Sequence, residues 1–407
     1  MQSIIDKKSA DIWIFCFGCC SGTLLMLTGN TLNFWLAKLG LDLKIIGLSS
    51  LIALPYVLKY CLAPFIEKYS LYKTRKRKSW LCVLALLILI SGFLLGNSNP
   101  IQNFHLTAIF GFCLALCAVS IDIILDAYRI DFSQANQNYG KTSSNFVVGY
   151  KIGMLISSSG AIMLSILIEW SSVYLIFSIF ISLLLLVFVK FLPNESQNDD
   201  DKDDQKQSLL SIFLLPMRYF QSKKDMLIVL TFVVTYKIAD QYILSMINPF
   251  LLHLNYNEYE ISFVVKTCGA LGSIAGGILG GHLINKFGAR HCLFYFAILH
   301  SSTNMLFIIQ EHIGYNLLLL YTLTLFGTIS SGMTMCVYIA YVMKLCSGSY
   351  SGTKYAFYSS LMGLSRVLLP APSGYIVDIF GWDVFFLLML LLTMPGILVT
   401  KWLPYQK

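Results

Sequence analysis

Between Ser79 and Ile121 the chain carries no Asp, Glu, Lys or Arg; Asp122 and Asp126 then follow four residues apart, with Arg129 three further on. A stretch so long and so apolar reads as a membrane-spanning helix, and the four-residue spacing places both carboxylates on one face of it. Neither can face lipid. An ionisable side chain at bilayer depth costs several kcal/mol, so it lines a protein interior or a wet cavity, often on an ion or substrate path. Two readings stay open: a structural ion pair that fixes helix packing, or a station on such a path. Arg129, nearer the helix end, is expected to anchor at the interface.

The rest of the chain supports a membrane protein. It is 57% hydrophobic and 12% charged, with a mean hydropathy of +0.70, values that no ordinary soluble domain of this length approaches. A chain of 407 residues has room for about twelve spans of roughly 20 residues each. Apolar stretches run over 12–38, 44–66, 79–97, 104–129, 142–168, 170–192, 224–252, 259–285, 290–310, 314–344, 354–377 and 382–403; they are called spans 1 to 12 below. The first is too long for a signal-peptide core and is read as a span. The eleven cysteines lie mostly in apolar runs, as Cys16, Cys19, Cys20, Cys113 and Cys117 do, and read as packing residues.

The predicted fold is all-α and integral to the membrane, with twelve helices in two six-helix pseudo-repeats: residues 1–192, a linker over 193–222, and residues 223–407. The highly charged run Pro193 to Gln207 reads as a solvated linker, since it lacks the alternating ligands and central Gly of a calcium loop. Ser208 to Phe220 is expected to form an interfacial helix. Lys and Arg gather at 68–78, in the linker, at Lys286 and Arg290, and at both termini, while the alternate loops hold only Lys38 and Lys44. The positive-inside bias then places both termini and the linker in the cytoplasm. For the 73–78 cluster a topology signal and a lipid contact are preferred to nucleic-acid binding.

The basic loop after span 2 recurs after span 8 as Gly281, Asn285, Lys286, Gly288 and Arg290. Six plus six spans, the linker and this loop resemble the major facilitator superfamily, whose halves rock around a midplane site. Asn285 stands where an acid is usual.

Inside the spans Lys59, Lys151, Lys237, Lys266 and Arg366 outnumber Asp122, Asp126 and Asp240, a cationic interior suited to an anionic substrate. By helical rise, Asp122, Lys59 and Lys151 fall at similar depth and can meet. Lys59 with either span 4 aspartate, and Lys237 with Asp240, can equally be permanent packing pairs. Lys266 is expected to snorkel. Arg366 is the foremost carboxylate-binding candidate, because guanidinium forms a bidentate fork and keeps its charge. Asp122 is the expected proton-coupling site, with Asp126 paired to Lys59 or Arg129 as a gate. Asn30, Asn33, Trp35 and Tyr236 offer the mixed polar and aromatic faces that suit a sugar, whereas Asn304 and Tyr341 read as packing groups. Glycines from Gly269 to Gly281 give span 8 a face that another helix can approach closely.

The chain is also similar to one branch of that superfamily, the AmpG-type muropeptide permeases. The likeness is carried by Leu27 to Trp35, Asp42 to Gly47, Pro55, Tyr56 and Lys59 to Pro64 in the first spans. Asp122, Asp126 and Arg129 continue it, with Gly149 to Met154, Tyr236, Lys237, Asp240, Lys266, Ser351, Thr353, Arg366, Pro372, Gly374, Gly381 and Trp382. Leu364 departs from it, since a Gly is common before the span 11 arginine. The resemblance implies proton-driven import of N-acetylglucosaminyl-1,6-anhydro-N-acetylmuramic acid, with or without stem peptide, from periplasm to cytoplasm across the bacterial inner membrane. The chain is expected to be a monomer in the lipid bilayer. Carriers of another large anion, acetyl-coenzyme A, are the alternative. No metal motif, Ser/His/Asp arrangement or phosphate loop stands out, so neither catalysis, a cofactor nor a nucleic-acid partner is expected.

Overall fold

Many large apolar side chains of this protein face outward, while several of its charges are buried. Leu86, Ile90, Leu167, Leu183 and Leu318 are exposed, while Lys59, Asp126, Arg129, Lys237 and Asp240 are buried. That is the reverse of a soluble domain and suits helices bathed in lipid. The computed structural model describes residues 7–41, 49–69, 71, 76–193, 208–218, 222–370 and 372–404. The linker over 194–207, the motif residues Asp42 to Gly47 and the basic residues Lys73 and Arg75 lie outside them.

Every regular element among the described residues is helical. Ten of the helices are long and apolar enough to cross a membrane, beginning with Ser9–Lys38 and ending with Ser373–Trp402. The other two expected spans, 2 and 11, are broken by their prolines. Span 2 runs as the short turns Ser50–Ala53 and Leu54–Val57 and the helix Lys59–Lys68, with Pro55 and Pro64 inside it. Span 11 runs as Ser351–Leu368, turns at Pro370 and Pro372, and resumes at Ser373 until Gly381, whose φ of 78° separates it from span 12. A proline ring removes one amide donor and crowds the carbonyl four residues back, so these helices cannot run straight.

Two compact units make up the chain. The first comprises Met1–Asn136, Gly149–Pro216 and Cys346–Ser360; the second comprises Gln137–Val148, Met217–Leu345 and Leu361–Lys407. Each unit therefore takes a short stretch from the helix of span 5 or span 11.

In the first unit spans 1 and 5 approach almost backbone to backbone. A Cβ at Gly22 would strike the Tyr150 carbonyl, one at Gly149 the Phe15 carbonyl, and one at Gly153 the Cys19 carbonyl. A π-helical turn over Ile156–Gly160 interrupts span 5, and the Ser157 carbonyl accepts a 2.8 Å hydrogen bond from the Thr31 hydroxyl. Of the expected interfacial helix, Leu209–Phe213 forms. It docks by stacking Phe213 on Tyr60, ring centroids 4.3 Å apart.

In the second unit the glycine face of span 8 receives span 10, as the sequence suggested. A Cβ at Gly276 would strike the Ile329 carbonyl and one at Gly332 the Ser273 carbonyl. Gly281 in turn lies against Gly140 and Ser144, whereas Gly288 holds a left-handed φ of 83° that ends the helix.

Because the span 1–span 5 contact has no room for a side chain, Gly153→Val should lower stability by about 1–3 kcal/mol, the usual cost of overpacking. Thermal unfolding in detergent measures it; an unchanged transition would mean that the two helices can separate.

Candidate functional site

Span 4 is one continuous helix, Phe104–Asn136, and its charged face meets the start of the helix Lys59–Lys68. The chain breaks at Leu58 (φ −88°, ψ 12°), which brings the Lys59 ammonium between two carboxylates. It pairs with Asp122 Oδ2 and with Asp126 Oδ2, the latter at 2.5 Å. Asp122 Oδ1 accepts a 2.6 Å hydrogen bond from the Ser21 hydroxyl. Asp126 Oδ1 is held by Arg129 Nη2 at 2.7 Å, and the Arg129 guanidinium lies 4.8 Å from the ring centre of Tyr355.

The two aspartates are therefore unequal. Asp126 sits between two cations with its side chain 3% exposed, while Asp122 shares one cation and is 21% exposed. Arg129 corrects an expectation: it is no interfacial anchor, because its side chain is wholly buried and completes the Asp126 pair. Lys151 is half-buried on Tyr139–Leu155.

The second unit holds a separate cluster where span 7 breaks. Lys223–Thr235 gives way to Ile238–His253 through a non-helical Lys237 (φ −118°, ψ 9°). The Lys237 ammonium pairs with Asp240 Oδ2 at 2.5 Å and donates to Thr334 Oγ1 at 2.7 Å. Asp240 Oδ1 lies 2.6 Å from His300 Nε2, and His300 Nδ1 lies 2.8 Å from Ser330 Oγ. The sequence reading missed His300. Its one signal was a histidine in the middle of an otherwise apolar stretch, a place where an imidazole needs partners.

Glu67 was also missed. It is an acid at the end of the broken span 2, and its carboxylate accepts the backbone N–H groups of Gly352 at 2.9 Å and Thr353 at 2.7 Å. These are the free donors at the start of the helix Ser351–Leu368, where a negative charge is favoured.

Other expected residues are placed less favourably for a ligand. Trp35 is buried against Trp170 and Tyr174, with ring centroids 5.7 and 5.5 Å away. Tyr236 stacks on Tyr338, and its hydroxyl donates to the Leu293 carbonyl at 3.0 Å. Both rings are packed against other aromatic rings in this structure. Asn33 is half-buried and accepts a 2.7 Å hydrogen bond from Ser49. Lys266 and Lys286 are exposed, and Arg290 Nη2 donates to the Lys401 carbonyl at 2.6 Å. The Arg366 backbone is helical; its side chain lies outside the described groups.

Apolar helices with buried, paired charges are those of an integral membrane protein. The pattern of the Major Facilitator Superfamily matches residues 14–370 and again 238–407. The fold agrees: a variant of the E. coli fucose:proton symporter FucP superposes with a TM-score of 0.72 over 99% of this chain and 99% of its own, at 13% identity. The proton:xylose symporter XylE gives a TM-score of 0.71 at 13% identity, over 98% of this chain and 96% of its own. The chain belongs to the major facilitator superfamily, within its AmpG-type branch. A Rickettsia bellii protein bearing the transporter name AmpG 1 is 38% identical over 97% of this chain and 98% of its own. A Rickettsia conorii protein of the same name is 37% identical over 97% of each.

Removing the shared ammonium by Lys59→Met should destabilise the protein by about 3–5 kcal/mol, since it strands a buried carboxylate. Adding Asp122→Asn to that variant should recover part of the loss in thermal unfolding. A double variant no more stable than the single one would show that the stranded charge is not the cause.

Proposed function

We propose that this protein imports anhydro-muropeptides from periplasm to cytoplasm across the bacterial inner membrane, coupled to protons, by alternating access of the halves 1–192 and 223–407. The observation that carries the reading is the unequal pair on span 4. Asp126 is locked by Lys59 and Arg129, whereas Asp122 shares Lys59, leans on a serine hydroxyl and retains exposure. A carboxylate that loses its lysine partner in another conformation takes up a proton, and regains its charge when the partner returns. The AmpG name of the relatives supports the muropeptide class.

The sequence supports an anionic cargo, since Lys59, Lys151, Lys237, Lys266 and Arg366 inside the spans outnumber Asp122, Asp126 and Asp240. Of these, Arg366 is assigned to a substrate carboxylate for its bidentate fork.

Proteoliposome uptake of labelled anhydro-disaccharide, with and without a proton gradient, tests the proposal. Asp122→Asn should abolish uphill accumulation while exchange of labelled for unlabelled substrate persists; Asp126→Asn should instead reduce folding yield. Vesicles of Asp122→Asn that still concentrate substrate would overturn the assignment. Uptake of acetyl-coenzyme A in place of the disaccharide would redirect the substrate class.

The same reading places both termini and residues 194–222 in the cytoplasm, and His253 to Glu260 in the periplasm. A single cysteine at position 200, in a cysteine-free background, should resist an impermeant reagent applied to intact cells. Labelling from outside would invert the topology.

A further inference from the structure

The cluster behind Lys237 contains a group that no step above uses. His300 is 9% exposed, in the middle of span 9, and both ring nitrogens are engaged, Nε2 by Asp240 and Nδ1 by Ser330. The hydroxyl hydrogens nearby can be accounted for. Thr303 Oγ1 donates to the His300 carbonyl at 2.8 Å, so its hydrogen is committed. Ser330 has one hydrogen and three acceptors in reach: the Gly327 carbonyl at 2.9 Å, Thr303 Oγ1 at 3.1 Å, and His300 Nδ1 at 2.8 Å whenever that nitrogen is bare.

Two arrangements satisfy every group. In one, Ser330 donates to Nδ1, and Nε2–H donates to the Asp240 carboxylate: the imidazole is neutral. In the other, the Ser330 hydroxyl turns to Gly327, and Nδ1–H donates to Ser330 Oγ while the Nε2–H···Asp240 bond persists. The ring then carries one more proton. The states differ by one proton on Nδ1 and the rotation of one hydroxyl, with no heavy atom displaced and no buried group left unsatisfied.

We infer that His300, with Asp240 and Ser330, forms a second proton-binding site of this transporter, carried by the second unit. The charged groups that face the ring come from span 7: Asp240 directly, and Lys237 behind the same carboxylate. Span 10 presents Ser330, and its Lys344 is exposed; span 8 likewise carries Lys286 exposed. Span 12 meets the neighbouring turn through the Ser301–Thr393 hydrogen bond. On that span Asp383 is exposed and faces His312, and Asp378, just before Gly381, is exposed as well. Lys237, Asp240 and His300 together carry no net charge when the imidazole is neutral and one positive charge when it is protonated. Protonation therefore makes the cluster attractive to an anion, which ties proton uptake to uptake of an anionic substrate. This last link rests on the transport reading above.

The test uses the full chain in detergent. The other five histidines, His105, His253, His282, His291 and His312, lie outside the cluster and are replaced by Asn, leaving His300 as the only 15N-labelled ring. From about pH 9 to about pH 5, the window of histidine chemistry, the ring nitrogen shifts should pass from a proton on Nε2 alone to protons on both nitrogens. An unchanged ring, or a proton on Nδ1 at the alkaline end, overturns the site. In proteoliposomes, His300→Gln should lose gradient-driven accumulation of the labelled anhydro-disaccharide. If the ring titrates but the wild-type chain moves no disaccharide, the substrate reading fails and the proton site stands. If the wild-type chain transports while the ring stays unchanged, the proton site fails alone.

Discussion

A single ammonium between two carboxylates joins span 4 to span 2 at the charged face of the helix. Asp122 and Asp126 lie one helical turn apart, and without a shared cation they would repel each other in a medium that screens poorly. Lys59 supplies that cation because span 2 does not run straight. The break at Leu58 lets a new helix start at Lys59, so the lysine sits at a turn rather than in the middle of a continuous spiral. Arg129 then removes the remaining charge of Asp126, and its guanidinium packs on the Tyr355 ring, an aromatic face that tolerates a cation away from water.

The same economy of breaks recurs in the second unit. Lys237 occupies the interruption of span 7, and its ammonium is held by Asp240 and Thr334. The structure thus places these two buried lysines where the helix ladder is already open. Elsewhere the helices are kept close by glycine, so that spans 1 and 5, and spans 8 and 10, touch through backbone atoms. Close backbone contact supplies dispersion where lipid supplies no hydrophobic drive between helices.

Much of this was legible in the residues themselves. Charge-free runs marked the spans, and the four-residue spacing of Asp122 and Asp126 gave a shared face. The three-residue spacing of Lys237 and Asp240 gave their pair. What was not legible depended on tertiary partners. Arg129 lies near the end of an apolar run, where hydropathy suggests an interface, but span 4 continues as helix to Asn136 and leaves it enclosed. Trp35 and Tyr236 have the composition of a sugar site, and only the packing shows their faces occupied by other rings. His300 gives no periodic signal, since one imidazole in an apolar stretch is equally compatible with lipid-edge, packing and proton roles until Asp240 and Ser330 are seen beside it. Pro55 in span 2 and Pro370 and Pro372 in span 11 lie beside the breaks, yet a hydropathy count passes over proline.

The two buried clusters differ in the way that matters for coupling. On span 4, Lys59 and Arg129 against Asp122 and Asp126 sum to zero, and each carboxylate has a cation in contact, so that cluster changes charge only when a partner moves away. Around span 7, Lys237 and Asp240 already cancel, and the third member is an imidazole whose added proton needs only a hydroxyl to turn. The first cluster therefore links protonation to helix movement, because a salt bridge must open. On the proposed reading of His300, the second links protonation to local charge without movement, and so to the affinity for an anion. In the proposed transport cycle, the first kind of link couples the proton to the change of conformation and the second couples it to binding of the anion.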